Sequence, residues 1–143
     1  MSVSQILGVK GRSVITASPK ENVHGTAQKL SQHRIGAVVV LDEKGAIAGI
    51  VSERDIVRVI GERGHPALEE NVGTVMTRKV VTCTETDTIA FIMERMTAGK
   101  FRHLPVVDQG RLIGVISIGD VVKSRLHEIE HETEALREYI ATA

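Results

Sequence analysis

Gly49-Ile50-Val51-Ser52-Glu53-Arg54-Asp55 and Gly114-Val115-Ile116-Ser117-Ile118-Gly119-Asp120 carry the same glycine, branched apolar pair, serine and aspartate in the same order. Reading outward from them, the two halves of the chain stay in step. Ala37-Val38-Val39-Val40-Leu41-Asp42 matches His103-Leu104-Pro105-Val106-Val107-Asp108, and one residue of difference in the next turn restores the glycine register. Farther upstream Val14-Ile15-Thr16-Ala17-Ser18 matches Val80-Val81-Thr82-Cys83-Thr84, Val23 falls on Ile89 and Leu30 on Met96. A sequence that repeats over so long a register is a duplication, and the fold must be read as two copies of one unit.

Periodicity gives each half the same order of elements. A short β-branched strand (Val14 to Thr16; Val80 to Thr82) precedes a polar turn and a helix, near Asn22 to His33 and Thr88 to Ala98. Strands from about Ala37 to Leu41 and Ala46 to Val51 follow, joined by Asp42-Glu43-Lys44-Gly45, whose Asp and Gly suit a hairpin turn. A second helix starts at Ser52 in one half and Ser117 in the other, and Gly61, Gly64 and Pro66 open a linker to Asn71. The fold class is therefore mixed α/β, of the α+β kind: two β-α-β-β-α repeats plus a C-terminal helix. One such unit exposes too much apolar surface alone, so the repeats are expected to pack with pseudo-twofold symmetry and to form two related clefts. The expected boundaries are 1–66, 67–125 and a helical extension over 126–143, within one module.

Composition narrows the function. The 143 residues hold 18 Lys plus Arg against 18 Asp plus Glu, with two Phe, one Tyr and no Trp. A neutral, aromatic-poor chain lacks the excess cations and stacking platforms of a nucleic-acid binder. A lone Cys83 excludes an intramolecular disulfide. Apolar runs such as Ala37 to Leu41 fall far short of the ~20 residues of a spanning helix, and no signal-type segment is visible, so a cytoplasmic protein without membrane partners is expected.

The serine and aspartate of the repeated phrase admit two readings. At the start of a helix, Ser-x-x-Asp resembles a capping box whose side chains satisfy orphan N–H groups. Alternatively, the helix N-terminus and a serine hydroxyl attract phosphate, while an aspartate, which would repel phosphate, accepts from the two vicinal hydroxyls of a ribose.

Over residues 1 to about 125 the duplicated pattern resembles a tandem pair of cystathionine-β-synthase (CBS) motifs, a Bateman module of the stand-alone bacterial type. In that family the Ser/Thr-x-x-Asp signature after the last strand marks a site for adenosine ligands, commonly AMP, ADP, ATP, NAD or S-adenosylmethionine. The resemblance implies roles for Ser52 and Asp55 in one site and Ser117 and Asp120 in the other. It also implies that Ile35, Gly36 and Ala37, or Phe101, Arg102 and His103, meet the adenine edge through their backbone. Val80, Ile50 or Val115 would flank the ring, and Arg102, His103 and, less directly, Arg34 would reach phosphate. Lead-in segments containing Lys10 and Gly11, or Thr77 and Lys79, would complete the opposite cleft. The sites differ in that Glu53-Arg54 lies inside one signature and Ile118-Gly119 inside the other; Arg54 would assist a phosphate or pair with a surface acid.

Beyond Asp120, Val122, Leu126, Ile129, Leu136 and Ile140 follow alternating spacings of four and three, interrupted at Thr133, as a heptad seam does. An intermolecular role, with a homodimer as the outcome, is expected. His127-Glu128-Ile129-Glu130-His131 matches the H-E-x-x-H pattern of zinc proteases, but both histidines take heptad b and f positions and too little chain follows to supply a third ligand and a cleft. Walker-type, G-x-G-x-x-G and G-x-S-x-G patterns are absent, Cys83 lacks an identifiable histidine partner, and His24, His33 and His65 are scattered. The expected function is a non-catalytic regulatory module that binds an adenine nucleotide (AMP, ADP, ATP or NAD(H)) between its repeats and signals to a separate protein by a change of conformation or assembly. The alternatives are a ligand-free scaffold and, remotely, a zinc-binding protein through His127 and His131. No catalytic cofactor is expected.

Overall fold

A computed structural model describes residues 1–142. In chain order its elements are α1 (Val3–Lys10), β1 (Thr16–Ala17), α2 (Val23–His33), β2 (Ala37–Leu41), β3 (Ile47–Ser52), α3 (Glu53–Arg63), a 3-10 turn (His65–Glu69), α4 (Val72–Val75), α5 (Ile89–Gly99), β4 (His103–Asp108), β5 (Arg111–Ser117) and α6 (Ile118–Thr142). The order β-α-β-β-α is thus present in the first repeat, and the second repeats it except for its first strand.

Local chemistry fixes the helix ends. Asn22 accepts from the Gly25 N–H at 2.7 Å to start α2, and Thr88 accepts from the Phe91 N–H at 3.1 Å to start α5; such caps are each worth about 1 kcal/mol. Both helices stop at a left-handed residue that is not glycine, Arg34 (φ 52) and Lys100 (φ 56). In the turn after β2, Asp42 accepts from the N–H groups of Lys44 and Ala46, both at 2.9 Å, and Gly45 supplies the positive φ of 81.

The chain forms two units. One comprises Ser13–Val81 with Gln109–Leu112; the other comprises Met1–Arg12, Thr82–Asp108 and the chain from Ile113 on. The N-terminal segment therefore belongs in space with the second repeat. In the Ser13–Val81 unit β1 runs parallel to β2 (Thr16 opposite Val39) and β2 antiparallel to β3 (Ala37 opposite Ser52), with an irregularity between Val40 and Leu41. Val38 and Val40 of β2 enter a core with Val23, Leu30, Val51 and Ile56, where full burial of each such side chain is worth about 1.5–3 kcal/mol. In the other unit α6 packs against α5 and α1, and β4 and β5 form a two-stranded sheet.

Three expectations need correction. The first strand lies at Thr16–Ala17 rather than Val14 to Thr16. No strand forms at Val80 to Thr82: the Val80 N–H turns back to the Arg78 carbonyl (3.1 Å), and only Cys83 bridges β4, through Pro105 and Val107. Finally, α6 is a single helix through residues 125 and 126, so the second repeat's last helix and the C-terminal extension are one element. Among the described residues no helix is long and apolar enough to cross a membrane.

Candidate functional site

Each repeated phrase ends a strand and begins a helix, so its serine is an N-cap. Ser52 Oγ accepts from the Asp55 N–H at 3.3 Å, while Asp55 Oδ2 accepts from the Ser52 N–H at 2.9 Å and its hydroxyl at 3.1 Å. Ser117 and Asp120 repeat this at 3.2, 2.9 and 3.0 Å. The capping box anticipated from the spacing is therefore complete at both places. The turn before β2 or β4 adds a further tie. Gly36 O accepts from the Glu53 N–H at 2.9 Å, and Arg102 O accepts from the Ile118 N–H at 2.8 Å. Each signature thus sits beside the residues expected to meet an adenine edge.

The two aspartates differ in what balances their charge. Asp55, only 7% exposed, receives Arg58 Nη1 on Oδ1 at 3.0 Å, from one turn farther along α3. Asp120 receives Lys10 Nζ on Oδ2 at 2.7 Å, from the C-terminal end of α1. Lys10 also donates to Val115 O at 2.8 Å. At the corresponding place in the first repeat, Ile50 exchanges both backbone bonds with Thr77, at 3.0 and 2.9 Å. Among the described residues, Asp120 Oδ1 takes no intrachain hydrogen bond, whereas both oxygens of Asp55 are engaged. Burial alone would raise the Asp120 pKa, but the Lys10 ammonium and the Ser117 N–H hold its carboxyl below the ordinary value of 3.8.

The glycine of each phrase makes these approaches possible. A Cβ on Gly49 would lie 2.6 Å from Met76 Sδ and 2.8 Å from Thr77 O; a Cβ on Gly114 would lie 2.7 Å from Leu7 Cδ2. At Gly49 the close approach of the Thr77 backbone, not a turn, calls for glycine, whereas at Gly114 the neighbour is the end of a side chain.

The structure distributes the expected residues over the two units. Lys10, Gly11, Phe101, Arg102, His103, Val115, Ser117 and Asp120 belong to one, and Ile35, Gly36, Ala37, Ile50, Ser52, Arg54, Asp55, Thr77, Lys79 and Val80 to the other. Lys10 touches Asp120 directly. Arg54, Lys79 and Arg102 are exposed, and Phe101 folds its ring over Gly99 at the end of α5. Within the Ser13–Val81 unit an open groove of about 450 Å³ lies between α2 and α3, lined by Leu30, Arg34, Ile35, Gly36, Glu53 and Val57; Ser52 and Asp55 do not line it. Sequence reasoning missed Arg58, whose position three residues after Asp55 on a helix was the available signal. It also missed α1, and with it the way Lys10 is delivered.

The remaining motifs have ordinary partners. Glu128 of the H-E-x-x-H stretch accepts from the Met1 amino group at 2.5 Å and from Arg125 at 2.8 Å, and these bonds lower its pKa. Among the described residues no three His, Cys, Asp or Glu side chains gather as a metal would need. Cys83 is 2% exposed, and burial, with Asp87 nearby, pushes its thiol up to about 12.

The chain matches the family model of the CBS domain over residues 3–62 and 72–127. It is similar to the crystal structure of the CBS-domain containing protein ATU1752 from Agrobacterium tumefaciens, with TM-score 0.84 and 46% identity over 87% of this chain and 92% of that one. The CBS domain pair of protein MJ0100, in complex with 5′-methylthioadenosine and S-adenosyl-L-methionine, matches with TM-score 0.78 and 26% identity over 91% of this chain and 98% of that one. The CBS domain protein PAE2072 from Pyrobaculum aerophilum, complexed with AMP, gives TM-score 0.75 and 27% identity over 84% and 89% of the two chains.

Proposed function

The chain belongs to the CBS-domain family, as a pair of CBS repeats, and from that premise we propose that it is a regulatory module that binds an adenosine ligand and catalyses no reaction itself. The observation that carries this reading is the Asp120 carboxylate, held ionised in a complete capping box with Oδ1 left open to accept from a ribose hydroxyl. AMP in PAE2072 and methylthioadenosine with S-adenosylmethionine in MJ0100 support the ligand class. The Ser52 and Asp55 pair forms a second site of the same kind, which Arg58 must vacate or share.

The reading extends to assembly. Val122, Leu126, Ile129, Leu136 and Ile140 are 42–66% exposed along α6, whereas Val121 and Ser124 face its own unit. A stripe of heptad spacing is self-complementary, and a second copy of the chain is the occupant it fits. Ligand binding then biases the module or its dimer, and a separate protein reads the change.

Thermal shift against AMP, ADP, ATP, NAD, NADH and S-adenosylmethionine tests the ligand class, since a ligand at 100 times its dissociation constant stabilises by ~2.7 kcal/mol. One specific observation favours a second reading, a ligand-free scaffold: both capping boxes are satisfied without any ligand. A flat response to the whole series selects that scaffold.

A further inference from the structure

We propose that Lys10 determines which adenosine ligands the Ser117/Asp120 site accepts: by balancing the charge of Asp120, it lets a ribose-binding carboxylate tolerate an anionic 5′ group. This inference rests on the ribose role proposed above for Asp120.

A carboxylate that accepts from ribose hydroxyls necessarily lies within several ångströms of the 5′ substituent of the same nucleoside. Unbalanced, it favours a neutral or cationic 5′ group, such as a thioether or sulfonium, and opposes a phosphate. Lys10 changes that balance. Its ammonium sits 2.7 Å from Asp120 Oδ2 and leaves Oδ1 open, so it cancels the charge without occupying the hydrogen-bonding position a hydroxyl needs. Its second bond, to Val115 O at 2.8 Å, fixes the ammonium at that place. With 25% of the Asp120 side chain and 40% of the Lys10 side chain exposed, both groups remain accessible to a ligand.

The origin of Lys10 is particular to this unit. Val3 and Ser4 of α1 donate to Asp87 O and Glu85 O, as Val72 and Gly73 of α4 donate to Glu21 O and Pro19 O. The two lead-in helices are therefore equivalent, and Leu7 over Gly114 corresponds to Met76 over Gly49. From there α1 continues through Gly8, Val9 and Lys10, whereas α4 ends at Val75 and Thr77 pairs with Ile50 at once. The extra turn is what delivers Lys10.

The test is calorimetry of AMP and 5′-methylthioadenosine with the full chain as wild type, Lys10→Met, Lys10→Arg and Asp120→Asn. Lys10→Met should lower the ratio of AMP to methylthioadenosine affinity by roughly tenfold, the loss of one balancing charge at partly screened distance, and Lys10→Arg should restore it. Asp120→Asn should weaken both ligands. If Lys10→Met weakens both in the same proportion, or neither, while Asp120→Asn weakens both, Lys10 does not set selectivity although the ribose site stands. If Asp120→Asn changes neither affinity, or wild type binds neither ligand, the ribose site is wrong and the inference falls with it. An unchanged circular dichroism spectrum and a single cooperative melt of Lys10→Met exclude misfolding as the cause.

Discussion

The same seven-residue phrase is used twice, and the two units complete it by different means. In one, Asp55 is balanced by Arg58 from its own helix, and Ile50 O is satisfied by a backbone N–H. In the other, Asp120 is balanced by Lys10 from 110 residues away, and the corresponding Val115 O is satisfied by that same side chain. A local partner is present wherever α3 is intact, whereas a distant one depends on α1 being docked. One aspartate is therefore tied to local helix structure and the other to the tertiary arrangement of its unit.

The last helices differ too, and breaking that difference should give the largest effect. α3 stops at Arg63 before Gly64, while α6 runs 25 residues with an exposed apolar stripe. Leu126→Glu combined with Ile129→Glu should weaken the proposed homodimer by a hundredfold or more, roughly 2.7 kcal/mol, because facing carboxylates lose hydration and repel. Light scattering at micromolar concentration reads this directly. A monomeric wild type removes the assembly proposal, and an unchanged mutant dimer moves the interface off α6.

The two glycines sharpen the comparison at intermediate size. Gly49→Ala drives a methyl against the backbone oxygen of Thr77, which is fixed by its pairing with Ile50, whereas Gly114→Ala meets the end of the Leu7 side chain. Overpacking costs about 1–3 kcal/mol. Gly49→Ala should fall at the upper end of that range and Gly114→Ala near the lower, measured by urea unfolding. Equal losses would mean that Leu7, fully buried, is as unyielding as backbone.

The smallest effect concerns acid. Because the folded pKa of Asp120 is lowered, its contribution is fully present above the ordinary value of 3.8 and is lost as pH falls through the lower folded value. Melting temperature should therefore drop less between pH 7 and pH 3 in Lys10→Met than in wild type. An identical drop would show that Lys10 contributes nothing to holding Asp120 ionised.

These contrasts also explain what the sequence could reveal. The spans Asn22 to His33 and Thr88 to Ala98 nearly coincide with α2 and α5, because a capping residue and helical spacing are both local signals. β2 was legible for a similar reason, since an uninterrupted apolar, β-branched run suits a buried strand. Val80 to Thr82 carries the same strand chemistry and forms none, because a strand needs a partner's free edge, and that is a tertiary fact. α1 was passed over although Ser2 and Gln5 offer a capping-box start, the Ser2 N–H donating to Gln5 Oε1 at 2.9 Å, because it has no acidic residue in its first turn and its buried Val3, Ile6 and Leu7 make only a short apolar pattern. Its register comes from Asp87 and Glu85, more than eighty residues away. The cap geometry at Ser52 and Ser117 could be read from spacing alone. The union of Lys10 with Asp120 could not.

Burial of the single thiol has a practical consequence. Cys83 lies in the stretch before α5, buried, bridged to β4 and protonated at neutral pH, so alkylating reagents meet essentially no thiolate in the native state. Reaction must wait for its unit to open. The labelling rate of the unmodified protein thus becomes a clock for that opening, and a cysteine introduced at an exposed position can carry a spectroscopic probe without first removing the native one.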